Sequence, residues 1–132
     1  MANSTPFDGA KYVNVETFKK DGTGVKTPVW AAVVDGKLVF STTESTWKVK
    51  RIRNNPKVRL AECNGSGAKL LGPWHDGTAR VLADATEIAR AEEALAKKYG
   101  LQRRIFYVIA RILGRMKDQV HIEITVGDRA AG

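Results

Sequence analysis

Apolar and polar residues alternate along most of the chain, and dipeptides that tolerate positive φ separate the alternating runs. Asp21-Gly22 lies between Tyr12–Phe18 and Val25–Val34, Asp35-Gly36 separates Pro28–Val34 from Leu38–Phe40, and Asn64-Gly65 follows Val58–Cys63. Asp76-Gly77 leads into Thr78–Leu82. Period-two alternation bounded by such turns predicts antiparallel hairpins, and the turns add up to a meander of about six strands. The last strand is Val120-His121-Ile122-Glu123-Ile124, with His121 expected to face water and a polar, frayed tail expected after it.

Helical periodicity interrupts this pattern. A first helix is predicted from about Glu44 to Asn54, ending there because Pro56 disfavours the α conformation at Asn55 and has no N–H to donate. A second starts at Asp84, with Glu87 three residues on in the capping-box arrangement, and presents Ile88, Ala91, Leu95 and Tyr99 on one face. Gly100 is its expected stop. Residues 102–114 read as a third helix with Ile105, Phe106, Val108, Ile109, Ile112 and Leu113 inward and Arg103, Arg104, Arg111 and Arg115 toward water.

Strands outnumber helices, with no repeat or low-complexity linker between them. The expected fold is mainly β, a closed or nearly closed small barrel with two or three flanking α-helices, because closure removes the exposed edges of many short strands. A chain of 132 residues that is 43% hydrophobic fits one domain spanning 1–132 around one core. No basic start followed by a long apolar run and no apolar stretch of roughly 18 residues occurs, so a cytoplasmic protein with no membrane partner is expected. The one cysteine, Cys63, cannot form an internal disulfide and has no zinc-ligand spacing around it, so it is expected as a strand residue in a reducing compartment.

Charge changes the picture. The net charge of +8 calls for an anionic partner, which by charge alone is nucleic acid, a membrane surface or a phosphorylated small molecule. Six cations and no acid fall in residues 48–59, and seven cations and no acid in residues 97–117. The first block opens at Ser41-Thr42-Thr43-Glu44-Ser45-Thr46-Trp47-Lys48-Val49-Lys50-Arg51, a hydroxyl-rich strand end running into a basic helix. A helix N-terminus offers unpaired N–H groups and positive dipole, hydroxyls add neutral donors, and Lys48 and Arg51 share a face at i, i+3. Phosphate suits such a set, since it accepts from several donors at once. Read by composition alone, the same stretch is equally a capped helix, through Thr43 or Ser45, with a solvated basic face. Upstream, Pro28 within Lys26-Thr27-Pro28-Val29-Trp30-Ala31 implies an edge, bulge or strand start with free backbone groups, while Trp30 taken by itself is a core residue.

Taken in order, Thr27-Pro28-Val29-Trp30, Asp35-Gly36, Ser41-Thr42-Thr43, Lys48-Val49-Lys50-Arg51-Ile52, Asn55-Pro56-Lys57-Val58 and Gly77-Thr78-Ala79-Arg80-Val81 resemble the flavin/deazaflavin oxidoreductase superfamily. The likeness is to its pyridoxamine 5'-phosphate oxidase-like split-barrel proteins, in the branch that uses coenzyme F420, and covers roughly residues 10–126. It implies a six-stranded antiparallel split β-barrel, FMN-binding-like, forming a homodimer with cofactor sites at the subunit interface. By the same resemblance, Lys48, Lys50 and Arg51 with the hydroxyls of Ser41, Thr42, Thr43 and Ser45 would hold the cofactor phosphate. Thr27, Pro28, Val29 and Trp30 would line its ring, with Trp47 and Val49 in the same segment. The second basic block would meet the acidic oligoglutamate tail of F420 or simply water, and Trp74 and His75 would either project into the partner's site or serve as a core Trp and an exposed His. The chain ends Thr125-Val126-Gly127-Asp128-Arg129-Ala130-Ala131-Gly132, without the Arg-containing C-terminal strand and following proline of the vitamin B6 oxidases, so vitamin B6 oxidation is not expected.

In such an enzyme the ring carries the hydride chemistry, and no catalytic dyad or metal spacing is expected or found in the sequence. The implied activity is hydride transfer from F420 to an organic unsaturated or carbonyl substrate, with no catalytic side chain assigned and no metal. Three rivals share the sequence: an FMN enzyme of the same fold, a cofactor carrier without catalysis, and a nucleic-acid-binding small barrel. Against the last, no aromatic residue interleaves with Lys50–Arg59, so a base-stacking platform is missing there.

Overall fold

The computed structural model describes residues 6–43, 46–112 and 119–129. The strands are β1 (Tyr12–Phe18), β2 (Gly24–Val29), β3 (Ala32–Val34), β4 (Lys37–Thr43), β5 (Lys57–Cys63), β6 (His75–Val81) and β7 (Gln119–Arg129), with helices α1 (Trp47–Asn54) and α2 (Ala85–Ile112). All seven strands form one antiparallel sheet in the order β2-β1-β5-β6-β7-β4-β3. The sheet is curled, and connectivity shows why. Laid flat, seven strands would put β2 and β3 about 29 Å apart. Only Trp30 and Ala31 join them, a reach of at most about 11 Å. The two edges must therefore meet, and the sheet rolls up.

This resolves the strand count. The apolar run Val25–Val34 is not one strand of six but two of seven, because its first half pairs with β1 and its second with β4. The Asp35-Gly36 turn is as expected, with both residues at positive φ (51° and 79°), which matches the twist of the strands it joins. Asp76-Gly77, by contrast, is no turn. It lies inside β6 beside a bulge against β7. A Cβ on Gly77 would sit 2.9 Å from both Ile124 Cγ2 and Leu60 Cδ1 and 3.1 Å from the Thr125 carbonyl oxygen, so glycine is there to let the barrel wall close. Gly77→Ala is expected to destabilise the fold by about 1–3 kcal/mol through overpacking, read as a lower urea midpoint. An unchanged midpoint would show that the wall yields there. The expected frayed tail is also corrected: β7 runs on to Arg129, because β6 supplies backbone partners for it as far as His75.

Two apolar layers share the wall. Inside the barrel pack Val13, Val15, Leu38, Phe40, Leu60, Ile122 and Ile124 with their neighbours, each buried aliphatic or aromatic group contributing about 1.5–3 kcal/mol. Outside, α2 lays Ala91, Leu95 and Tyr99 on Ala32, Val39 and Leu82, so where one core was expected there are two apolar clusters. Asp84 caps α2 as predicted, its Oδ2 accepting from the Glu87 N–H at 3.0 Å. The reciprocal half of the capping box is not made, since the Glu87 carboxylate pairs with Arg80 instead.

Gly100 stops the first helical half as predicted, with φ 44° and ψ −121°, and a second half follows it across the kink within α2. Beyond it Arg104 is exposed as predicted, but other described residues fall on the opposite side to the one expected. Arg103 is buried, while Ile105, Val108 and Ile109 are exposed. The reason is a tertiary partner: Arg103 Nη2 lies 2.7 Å from Glu92 Oε1 and 3.3 Å from Ser41 Oγ. His121, expected to face water, is buried too, its Nε2 3.0 Å from the same Glu92 oxygen. The side chains of Phe106, Arg111 and Ile112, and residues Leu113 and Arg115, lie outside the description. No helix among the described residues is long and apolar enough to cross a membrane.

A candidate anion site at the barrel end

β4 ends and β5 begins at the same end of the barrel, and α1 spans the gap between them. Glu44 and Ser45 lie outside the described residues, so the helix is seen from its N-cap position, Thr46, to Asn54. It stops where expected. Asn55 is extended (φ −145°, ψ 106°), its N–H closes on the Arg51 carbonyl at 2.7 Å, and its Oδ1 accepts from the Lys57 N–H at 3.1 Å. The N-cap is Thr46, not Thr43 or Ser45, and its side chain makes no capping bond. Its Oγ1 instead lies 3.5 Å from Thr42 Oγ1. The first turn of α1 contains no acid, so its N–H dipoles face the hydroxyls uncompensated.

Val49 and Ile52 are buried and seat the helix on the barrel, touching β1 and β6. That fixes the rest by helical geometry. Lys48 and Arg51 fall between the buried and exposed sides and are both half-buried. Burial, and then the neighbouring Arg51 charge, hold the Lys48 ammonium below the ordinary lysine pKa. Arg51 Nη1 donates to Thr17 Oγ1 over a long 3.5 Å. Among the described residues no carboxylate pairs with either cation. Two partly desolvated cations without a counter-charge among the described residues, beside a helix N-terminus and paired threonine hydroxyls, favour an anion.

The structure separates other residues that sequence had grouped. Lys50 turns to the opposite, exposed side, its Nζ 4.6 Å from the centre of the Trp47 ring, which is itself 67% exposed. The Ser41 hydroxyl points to Arg103 on the outer wall rather than to Thr42. The Val49 side chain is fully buried, so only its main chain borders the site. The Thr43 side chain and Ser45 are outside the description.

Thr27–Trp30 lie in and beside β2, the edge strand, hydrogen-bonded to β1 and to no other strand. The backbone groups that Pro28 led one to expect are thus on a free strand edge. Thr27 shares a face with Val15 and Thr17 of β1 and lies about 7 Å along the strand from the row that Arg51 reaches. Pro28 faces outward under the loop 64–74, its ring close against Gly67. Trp30 stacks on Tyr99 of α2 at 5.2 Å and 15°. Around that corner, the Tyr99 hydroxyl reaches the carbonyls of Lys11 (2.8 Å) and Ala31 (2.9 Å), and Lys98 Nζ donates to Ala31 at 2.7 Å. Burial, the largest influence on it, pushes the Tyr99 phenol up to about 12 and keeps it neutral.

Thr17 was missed by sequence reasoning. Its signal is its place in the inward series Val13, Val15, Thr17, where a fully buried hydroxyl replaces an aliphatic group. Arg59, counted in the basic block, belongs elsewhere: it pairs with Glu16 at 3.4 Å and lies 5.1 Å from the Trp74 ring, which Lys26 also approaches at 5.4 Å. Trp74 is half-buried there, and His75 is buried against Phe7. Cys63 is buried in β5 as expected. A separate cavity of about 120 Å³ lies between the outer wall and the start of α2, lined by Val34, Val39, Leu82, Arg90 and Ala91 among others, away from α1. Its charged rim is internally paired, Arg90 with Asp35 and Glu123 with Lys37 and Arg80.

The family model described as pyridoxamine 5'-phosphate oxidase matches residues 5–128. The chain belongs to this family. Among solved structures, a protein from Clostridium acetobutylicum related to general stress protein 26 of B. subtilis, of the pyridoxinephosphate oxidase family, is 25% identical, with TM-score 0.60 over 90% of this chain and 77% of that one. A conserved hypothetical protein from Mycobacterium tuberculosis superposes with TM-score 0.67 at 19% identity, covering 96% of this chain and 84% of that one. A heme storage protein from Vibrio cholerae does so with TM-score 0.64 at 13% identity, over 95% and 85%. No curated protein matches the chain. Family membership and these likenesses agree on the half-barrel fold, which is shared with a heme storage protein.

Proposed function

We propose that this pyridoxamine 5'-phosphate oxidase family member binds the deazaflavin coenzyme F420 and passes hydride between it and an organic unsaturated or carbonyl substrate, working as a homodimer with its cofactor sites at the subunit interface. The observation that carries the reading is the pair Lys48 and Arg51, half-buried, mutually repelling and without a carboxylate partner among the described residues, at the barrel end next to the edge of β2. The residues fit a phosphate-bearing ring cofactor. Lys48, Arg51, Thr42 and Thr46 would hold the phosphate, and the edge of β2 from Thr27 to Val29 would meet the polar edge of the ring through its main chain. When bound, the deazaflavin supplies the hydride chemistry. The chain's part is to bind and orient: α1 is anchored by Val49 and Ile52, and the β2–β3 corner by Trp30 on Tyr99, so neither wall needs to reorganise on binding.

FMN shares the ring shape and a phosphate, and is the alternative cofactor. Fluorescence titration of the purified protein with oxidised F420 and with FMN separates them, following Trp30 and Trp47. Saturable quenching by F420 at about micromolar concentration, with FMN much weaker, is the expected result. Saturation by FMN alone would replace the deazaflavin with a flavin, and no saturation with either would remove the cofactor reading. Hemin belongs in the same series because of the heme-storing relative. Here, however, both histidines are buried, and His121 is engaged by Glu92.

A further inference from the structure

Away from the barrel end, the second half of α2 presents a row of exposed apolar side chains. Leu101, Ile105, Val108 and Ile109 are 70%, 53%, 58% and 52% exposed, and their spacing of i, i+4, i+7 and i+8 aligns them in one stripe. The other side of the same segment is fastened to the domain, through Arg103 to Glu92 and Ser41. Gly100 breaks the helix just before it, so the stripe does not follow the direction of the half that lies on the sheet. Residues 101–112 span about 18 Å, enough to lie along a surface.

Charge identifies the surface. Arg104 is exposed, three residues after Leu101 and four before Val108, and Lys97 is exposed one turn earlier. The chain has no acid between Glu93 and Ile112; among the described cations there, Arg103 is held by Glu92 and Lys98 by the Ala31 carbonyl, which leaves Arg104 and, 3.9 Å from Glu93, Lys97 at the surface. An apolar stripe edged by cations, on a helix held to its domain by the opposite face, is suited to lie in the plane of an anionic bilayer. The stripe enters the headgroup boundary and the cations meet lipid phosphates. A second copy of this chain fits the stripe less well, because a two-fold contact would set the same cations against each other with no carboxylate from this part of the helix.

We propose that α2 beyond Gly100 is a reversible docking surface for anionic lipid membranes. The claim does not depend on which cofactor occupies the barrel end. Co-sedimentation of the full chain with phosphatidylcholine vesicles containing about 30% phosphatidylglycerol tests it, against vesicles of phosphatidylcholine alone. Binding is expected to the anionic vesicles and to be at least about tenfold weaker to the neutral ones or in about 0.5 M salt. Ile105→Ser with Val108→Ser and Ile109→Ser should abolish it, and Arg104→Gln, a single exposed change that leaves the fold intact, should weaken it on anionic vesicles. Undiminished binding by these variants, or equal binding to both vesicle types, overturns the proposal. So does a wild-type chain that ignores vesicles but self-associates through the stripe, seen as a lower oligomeric state of the triple variant in sedimentation velocity.

Discussion

Replacing Lys48 and Arg51 together by alanine is expected to weaken coenzyme binding by about 100-fold or more, with the free protein no less stable than before. Each charge-assisted hydrogen bond to phosphate contributes about 1.5–3 kcal/mol, so the loss of two accounts for at least that factor. The free protein is spared because Lys48 is disfavoured there, by burial and by Arg51, and Arg51's contact with Thr17 is long. The two readouts separate a binding role from a structural one. A fall in thermal midpoint with unchanged coenzyme affinity would sink the site assignment. Protonation gives a second handle. Lys48 is held below its unfolded value, so the folded chain binds fewer protons in that window and stability rises with pH through it. A bound phosphate acts in the opposite direction and raises the Lys48 pKa, so affinity should fall as pH rises through the value in the free protein. Affinity that stays flat across that range would show that Lys48 does not face the anion.

Glu92→Leu is expected to cost about 2 kcal/mol near neutral pH and to remove much of the acid sensitivity of the fold. The Glu92 carboxylate is the shared partner of His121 at 3.0 Å and Arg103 at 2.7 Å, both more than nine-tenths buried. Losing one member of a buried pair costs about 3–5 kcal/mol. The Glu92 side chain is 37% exposed, and solvent screening reduces the figure to about 2. The His121 hydrogen bond first, and then Arg103 against the opposing effect of burial, hold this carboxyl down at about 2, from an ordinary value of 4.5. A depressed carboxylate stabilises above its unfolded pKa and loses that contribution as pH falls through the folded one. Wild-type stability should therefore drop between about pH 5 and pH 2, and the variant should drop less. Urea midpoints at the two ends of that range check this. Equal acid losses in both proteins would show that Glu92 is not a linkage site.

Local chemistry was legible in the sequence. Asp35-Gly36 could only be a tight turn, Pro56 could only end α1, and Asp84 was placed to cap α2. The barrel-end site was legible in part for the same reason, since Lys48 and Arg51 are neighbours on one helix face whatever the helix packs on. Where an arginine or histidine found a distant carboxylate, reading by pattern went astray. Arg103 and His121 lie in polar-looking positions, and both are buried because Glu92 stands between them. Ser41 contacts Arg103 across the wall, and Lys50 contacts Trp47 three residues before it in α1.

The sequence by itself determined which stretches are strands and helices, where most of them turn, and that a hydroxyl-rich junction meets a basic helix, because backbone preferences and side-chain periodicity act over a few residues. Only the tertiary structure decided that Val25–Val34 divides between two sheet edges, that Gly77 is a packing contact rather than a turn, that Thr17 sits beside Arg51, and that α2 beyond Gly100 exposes Leu101, Ile105, Val108 and Ile109. Those outcomes depend on which distant group arrives opposite each side chain, and long-range pairing, not local preference, sets that.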